Sequence, residues 1–245
     1  MIEHLILVAS SYTLNKRIAW HYANKQINPA VMNEVREKTL HVLGEPMFAI
    51  HRLTTQSANW ESIISKDSYF ADLIVYQSLD AFLLELKKDQ QISALDIAKM
   101  LLSMQSMTNL KLQKMIYFVY ADYLMNTHES LFPEKIIAYH YGPIVKEVYE
   151  KYKRHGRKII TPEDDSVNLE STKITRPMAL ARLSKAKQHA EVLASVQRVF
   201  TKFGNMTAAQ LVALTHRNNS PWSQTTQFNI ITDECILQHH LIELS

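Results

Sequence analysis

The sequence predicts a mainly α protein with a small mixed segment in front, and three observations predict it. Glycine occurs only four times in 245 residues, at Gly44, Gly142, Gly156 and Gly204, and each can be placed at the end of an element. Capping residues recur ahead of stretches whose apolar positions are spaced three and four apart. Extended patterning is confined to short pieces. On this reading the C-terminal three-fifths, residues 94–245, form a compact helical domain with a short extended segment. Residues 1–93 form a small α/β or helical appendage.

The elements follow in order. Leu5 to Ala9 is a short apolar run, either a strand or part of a helix. Asn28-Pro29 reads as an N-cap with proline at the first helical position, opening a helix that ends near Gly44. Met47 to Leu53 and Leu73 to Tyr76 are strand candidates. Ser78 caps a helix through Lys88, and the polar stretch Lys87 to Gln91 is the candidate boundary. Ala94 to Ser103 is helical. Thr108 caps a longer helix with an apolar face of Leu112, Met115, Ile116, Val119, Tyr120 and Tyr123. The opposite face carries Lys111, Lys114 and Asp122. Leu131-Phe132-Pro133 is a loop with an apolar anchor. Ile136 to Tyr141 is β-prone, Gly142-Pro143 stops it, and a helix starts just after, running to about Arg154 with Gly156 ending it.

Residues 157–176 read as a long polar loop. Ser184 caps a helix with an apolar face of His189, Leu193, Val196, Phe200 and Phe203, ending at Gly204. Thr207 and Gln210 form a capping box for a helix carrying Leu211 and Leu214. A break follows at Ser220-Pro221-Trp222. Thr232 caps a last helix that buries Ile236, Leu237, Leu241 and Leu244.

Composition narrows the function. A hydrophobic share of 47% with 21% charged residues suits a globular chain able to bury a core without metals or disulfides. Cys235 is the only cysteine, so no internal disulfide forms, in keeping with a cytoplasmic protein. No apolar run approaches a membrane span, and the start Met1-Ile2-Glu3-His4 lacks the basic n-region of a secretory signal. The net charge of +3 is too small to favour nucleic acid. It is uneven, however, with nine Lys/Arg against ten Asp/Glu in residues 1–93. The positive excess falls mainly on Lys146, Lys151, Lys153, Arg154, Arg157 and Lys158. This basic stretch is either a solvated helix face and turn or a docking patch, centred on Lys151, Lys153, Arg154 and Arg157, for an acidic partner or RNA.

Catalytic and metal chemistry find little support. No pair of glycines frames a serine as in GxSxG, and no CxxC or HxxxH spacing occurs. His239 and His240 are adjacent, so on a helix they diverge by about 100° and do not share one metal. Asp164 and Asp165 lie in the polar loop without an acidic partner set. His216, at a helix end before Trp222, is the nearest approach to a general base, against the plainer reading of capping and packing.

Three segments carry a family resemblance. Thr108-Asn109-Leu110-Lys111-Leu112-Gln113-Lys114-Met115-Ile116-Tyr117 resembles the opening helix of the Panacea (SocA-like) antitoxin domain. Ala138-Tyr139-His140-Tyr141-Gly142-Pro143-Ile144-Val145, followed by Val148-Tyr149, is similar to its central turn. Leu211 to Leu214, then Thr215-His216 and Ser220-Pro221-Trp222, resembles its third signature. The resemblance covers about residues 94–245 in the family's order. It departs at Tyr139, where the family often has tryptophan, and in residues 1–93, which the family domain does not include.

The resemblance implies a compact helical antitoxin that neutralises a cognate protein toxin by direct binding, as in a type II toxin–antitoxin system, with no catalytic residues and no cofactor. One branch of the family acts instead as an adaptor that delivers its toxin to a cytosolic protease. The family-motif residues here are Lys111, Leu112, Lys114, Tyr117, Tyr141, Gly142, Pro143, Tyr149, Thr215, His216, Pro221 and Trp222, each either structural or toxin-binding. A role of the N-terminal appendage in selecting the toxin is a further expectation.

Overall fold

Leu5–Ala9 is apolar at every position because it lies in a central strand buried on both faces. In the computed structural model, which describes residues 1–161 and 176–244, the chain divides into two compact units, Met1–Gln91 and Ile92–Ser245. The first is a four-stranded sheet in the order β3-β1-β2-β4, built from β1 (Ile2–Ser11), β2 (Lys16–Asn24), β3 (Ala49–Thr55) and β4 (Ile74–Tyr76). β1 is antiparallel to both β2 and β3, and β4 runs parallel to β2.

Side chains of β1 alternate between two cores, as the period of two in a strand requires. Leu5 and Leu7 face α1 (Pro29–Leu43) and α3 (Leu79–Gln90), where Val35, Phe82 and Leu86 are buried. Ile6 and Val8 meet Ile63 of α2 (Trp60–Lys66) and Phe70 of the 3-10 turn after it. The unit is therefore α/β. The polar stretch near residue 89 is the end of α3, and Asp89 closes the β1–β2 hairpin by accepting from the Tyr12 amide at 2.7 Å and the Thr13 hydroxyl at 2.8 Å.

The second unit is helical, built around one helix. After α4 (Ala94–Met104), with a capping box of Ser93 and Asp96, comes α5 (Asn109–Thr127), capped by Thr108. α5 is not the two-faced helix that the apolar spacing predicts. Residues 112–121 are all buried, because α4, α6, α8, α9, α11 and the strand β7 pack around it. A helix enclosed in this way needs internal partners for its polar side chains.

β6 (Ile136–Tyr139) and β7 (Gly142–Val145) form a tight antiparallel hairpin. Gly142-Pro143 thus opens a second strand rather than ending the extended segment, and α6 (Lys146–Tyr152) begins only afterwards. A two-residue strand β8 (Ile159–Ile160) pairs with β5 (Met107–Thr108) inside the segment expected to be loop. Asp164 and Asp165 lie outside the described residues.

α7 (Arg176–Leu183) precedes α8 (His189–Phe203). Ser184 is not a cap: its amide bonds back to Leu180, and α8 starts behind Gln188, which sits at φ 54° with no side-chain cap. Its buried stripe is Val192, Val196, Val199 and Phe203, so His189 lies outside the core. α9 (Ala208–Thr215) has the Thr207–Gln210 capping box, and α10 (Pro221–Gln224) starts at Pro221 behind Ser220. The last helix is broken into α11 (Asp233–His239) and α12 (Leu241–Leu244). Leu241, expected in the core, is exposed, and Glu243 takes the buried position instead.

Candidate functional site

The three resembling segments lie far apart in sequence and meet at the β6–β7 hairpin. Proline at 143 explains the geometry. It has no N–H, and in the register Ala138↔Pro143 its carbonyl points away from β6. That carbonyl faces α5, where the Lys114 ammonium donates to it at 2.8 Å. One step along the same edge, the Val145 amide donates to Gln113 Oε1 at 2.8 Å. Gln113 in turn donates to Asn109 Oδ1 at 3.4 Å, and Asn109 donates to the Tyr149 carbonyl at 3.5 Å. Side chains of α5 seal this strand edge.

The other edge of β6 is closed by residues 228–231. The Phe228 amide donates to Ala138 O at 2.7 Å, the Ala138 amide to Asn229 O at 2.9 Å, and the Ile231 amide to Ile136 O at 2.9 Å. Phe228 holds φ at 69°, a left-handed conformation that is costly for a bulky residue.

Gly142 is required for two reasons. Its φ is +95°, and a Cβ there would lie 2.6 Å from Thr215 Oγ1 and 2.9 Å from Lys114 Nζ. The hairpin, α5 and α9 therefore touch at one point. Thr215 and His216 end α9: the Thr215 hydroxyl donates to Val212 O at 3.0 Å, and His216 Nδ1 lies 2.8 Å from the same carbonyl. The His216 ring lies against Trp222 in a tilted arrangement, with ring centroids 3.7 Å apart and planes at 40°, and the Trp222 indole N–H donates to Tyr139 O at 2.8 Å. The Ser220 hydroxyl donates to Thr215 O at 2.7 Å.

The sequence puts both lysines of the first signature on a solvated or locally paired face or at a partner surface, and the structure pairs both internally. Lys114 is 0% exposed, and burial pushes its ammonium down to about 7, opposed by the Glu243 carboxylate. The Lys111 ammonium donates to Gly204 O at 2.6 Å, closing the end of α8, and burial lowers its pKa. Leu112 is core. The Tyr117 hydroxyl donates to Glu243 Oε2 at 2.7 Å, an oxygen that also lies 2.7 Å from His240 Nδ1. Burial raises the Glu243 pKa, and His240 and Tyr117 work against that rise.

Glu243 and His240 lie outside the three segments, and Asn109 and Gln113 stand in the first without an assigned role. Their only signal is polarity at helical spacings shared with apolar neighbours. The basic segment is a separate region. Lys151, Lys153, Arg154 and Arg157 are exposed, and Lys153 pairs with Glu150. Among the described residues no group of three or more His, Cys, Asp or Glu side chains could hold a metal ion, and no helix is long and apolar enough to cross a membrane.

The fold and site define a helical module in which polar residues of three segments tie a β-hairpin to a central helix. Residues 112–223 match the family described as Antitoxin SocA-like, Panacea domain. The chain is similar to Antitoxin SocA of Caulobacter vibrioides (strain NA1000 / CB15N), with 26% identity over 138 residues, covering 54% of this chain and 70% of the relative. No solved structure matches.

Proposed function

We propose that this protein is the antitoxin of a type II toxin–antitoxin pair and neutralises a cognate protein toxin by direct, stoichiometric binding in the cytoplasm. The observation that carries the reading is the use made of the signature residues. Lys111, Lys114, Gly142, Thr215 and Trp222 spend their polar groups or their small size on internal bonds and close packing. A histidine whose ring packs against tryptophan and is bonded to a helix-end carbonyl is held as a structural element, in contrast to a general base, which needs reach to a substrate proton. The signature thus builds a rigid platform, and rigid platforms favour binding by reducing the ordering cost of association. The likeness to a named antitoxin supplies the partner class. The first unit lies outside the matched segment and is assigned to selecting the toxin.

Co-expression with the product of the adjacent reading frame tests this. The expected result is a neighbour that stops growth alone and is relieved by this chain, with the two proteins co-purifying. Relief without a complex, lost when a cytosolic protease is deleted, would instead make the chain an adaptor. A harmless neighbour would refute both.

A further inference from the structure

The outer face of the hairpin and its third strand is apolar and uncovered. Because opposed residues of antiparallel strands share a face, the bridge Ile137↔Ile230 places Ile230 beside Ile137. Two residues on, Phe228 lies beside Tyr139. The rings of Tyr139 and Phe228 meet edge to face at 5.1 Å, and His140 meets Phe228 at 4.9 Å. Phe228 is 54% exposed, Ile230 49% and Tyr139 36%. A bulky aromatic held at positive φ with its ring in solvent is a strained arrangement that adds nothing to the core.

Next to Ile230 the surface opens into a groove of about 410 Å³, walled by Phe132, Ile136 and Ile231. Three carboxylates line it, Glu134, Asp233 and Glu234, against one ammonium, Lys135. Tyr120 and Ser130 donate to Asp233 at 2.6 and 2.5 Å. Burial raises the Glu134 pKa, and the Ala94 amide, which donates to it at 3.2 Å, works against that rise.

We infer that this face is the toxin-binding surface, and that the toxin segment it takes is apolar with a flanking Lys or Arg. The apolar residues of the segment cover Tyr139, Phe228 and Ile230. The cation enters the groove, its aliphatic stem along Phe132 and its charge toward Glu134 and Glu234. Exposed aromatics clustered at the centre of a surface are the anchors that dominate interface energetics, and the carboxylates set the sign of the partner. The inference rests on the antitoxin reading and adds to it a surface and the chemistry of the partner.

The test uses the full chain and the purified product of the adjacent reading frame as probe. Tyr139→Glu and Ile230→Asp each weaken Kd about tenfold or more, the effect of losing an interface anchor, with thermal midpoints near wild type. Phe228→Gly also weakens binding while its midpoint holds or rises, because glycine accepts positive φ. Glu234→Lys weakens binding, and the loss shrinks at high salt. Wild-type affinity in both Tyr139→Glu and Ile230→Asp overturns the inference and leaves the antitoxin reading standing. So does a loss confined to Lys151→Glu and Lys153→Glu, which moves the interface to α6. Failure of the wild-type chain itself to bind or to relieve toxicity removes the antitoxin reading together with this one.

Discussion

The Lys114 ammonium donates to the Pro143 carbonyl at 2.8 Å inside the protein, with the lysine side chain wholly shielded from water. This bond joins the first and second signatures. A methionine at 114 keeps the bulk and removes the donor, leaving a buried carbonyl unpaired at a cost of about 1–3 kcal/mol. Lys114→Met is expected to lower the thermal midpoint of the second unit by several degrees. Its stability should also lose a pH dependence. Burial lowers the Lys114 pKa from 10.5 to about 7, so between those values the unfolded chain binds more protons than the folded one. Wild-type stability therefore rises with pH from about 7 toward 10. Chemical denaturation at pH 7 and pH 9 checks this: the wild type gains more than Lys114→Met, and equal gains would remove Lys114 as the cause.

Gly142→Ala combines positive φ with a Cβ 2.6 Å from Thr215 Oγ1, whereas at Gly44 φ is also positive, at +82°, but nothing lies within 4 Å. Gly142→Ala is expected to cost at least about 2 kcal/mol, from strain and overpacking together. Gly44→Ala bears only the backbone term, about 1 kcal/mol. Denaturation midpoints rank the two, and equal losses would show that the close approach at Gly142 is slack.

Acid acts on the first unit. His21 lies 2.8 Å from His4, and burial, aided by His4, lowers its pKa from 6.5 to about 4. The folded unit prefers the neutral ring, so stability present above pH 6.5 is lost as pH falls toward 4. His21→Gln, which cannot acquire charge, should flatten that loss. Fluorescence of Trp20 and Trp60, both in this unit, follows it.

Residues 1–91 form their own α/β core. If they select the toxin, deletion of 1–91 leaves the second unit folded, by circular dichroism, but abolishes relief of growth arrest. Full relief by residues 92–245 would refute the selection role.

Capping chemistry was legible because it is local. Asn28, Ser78, Thr108, Thr207 and Thr232 each cap a helix through their own side chains. β2 and α2 were not, because Lys16–Asn24 mixes polar and apolar residues in a strand defined by its pairing with β1, and α2 is only seven residues long. Burial of Lys114 is a tertiary fact: spacing places it beside an apolar stripe, and only the carbonyl of Pro143 explains its turning inward. The apolar face of Tyr139, Phe228 and Ile230 was hidden because its bridged residues, Ile137 and Ile230, are 93 positions apart and its third strand carries little strand patterning. The site's residues were legible as motifs, and their roles as internal ties were not.

The most direct measurement is light scattering on the purified full chain mixed with the purified neighbouring product, with toxin activity followed in the same samples and no protease present. Direct neutralisation predicts a complex of fixed stoichiometry, with activity falling to zero at that ratio. Undiminished activity at excess of this chain, or inhibition only after a protease is added, would contradict it.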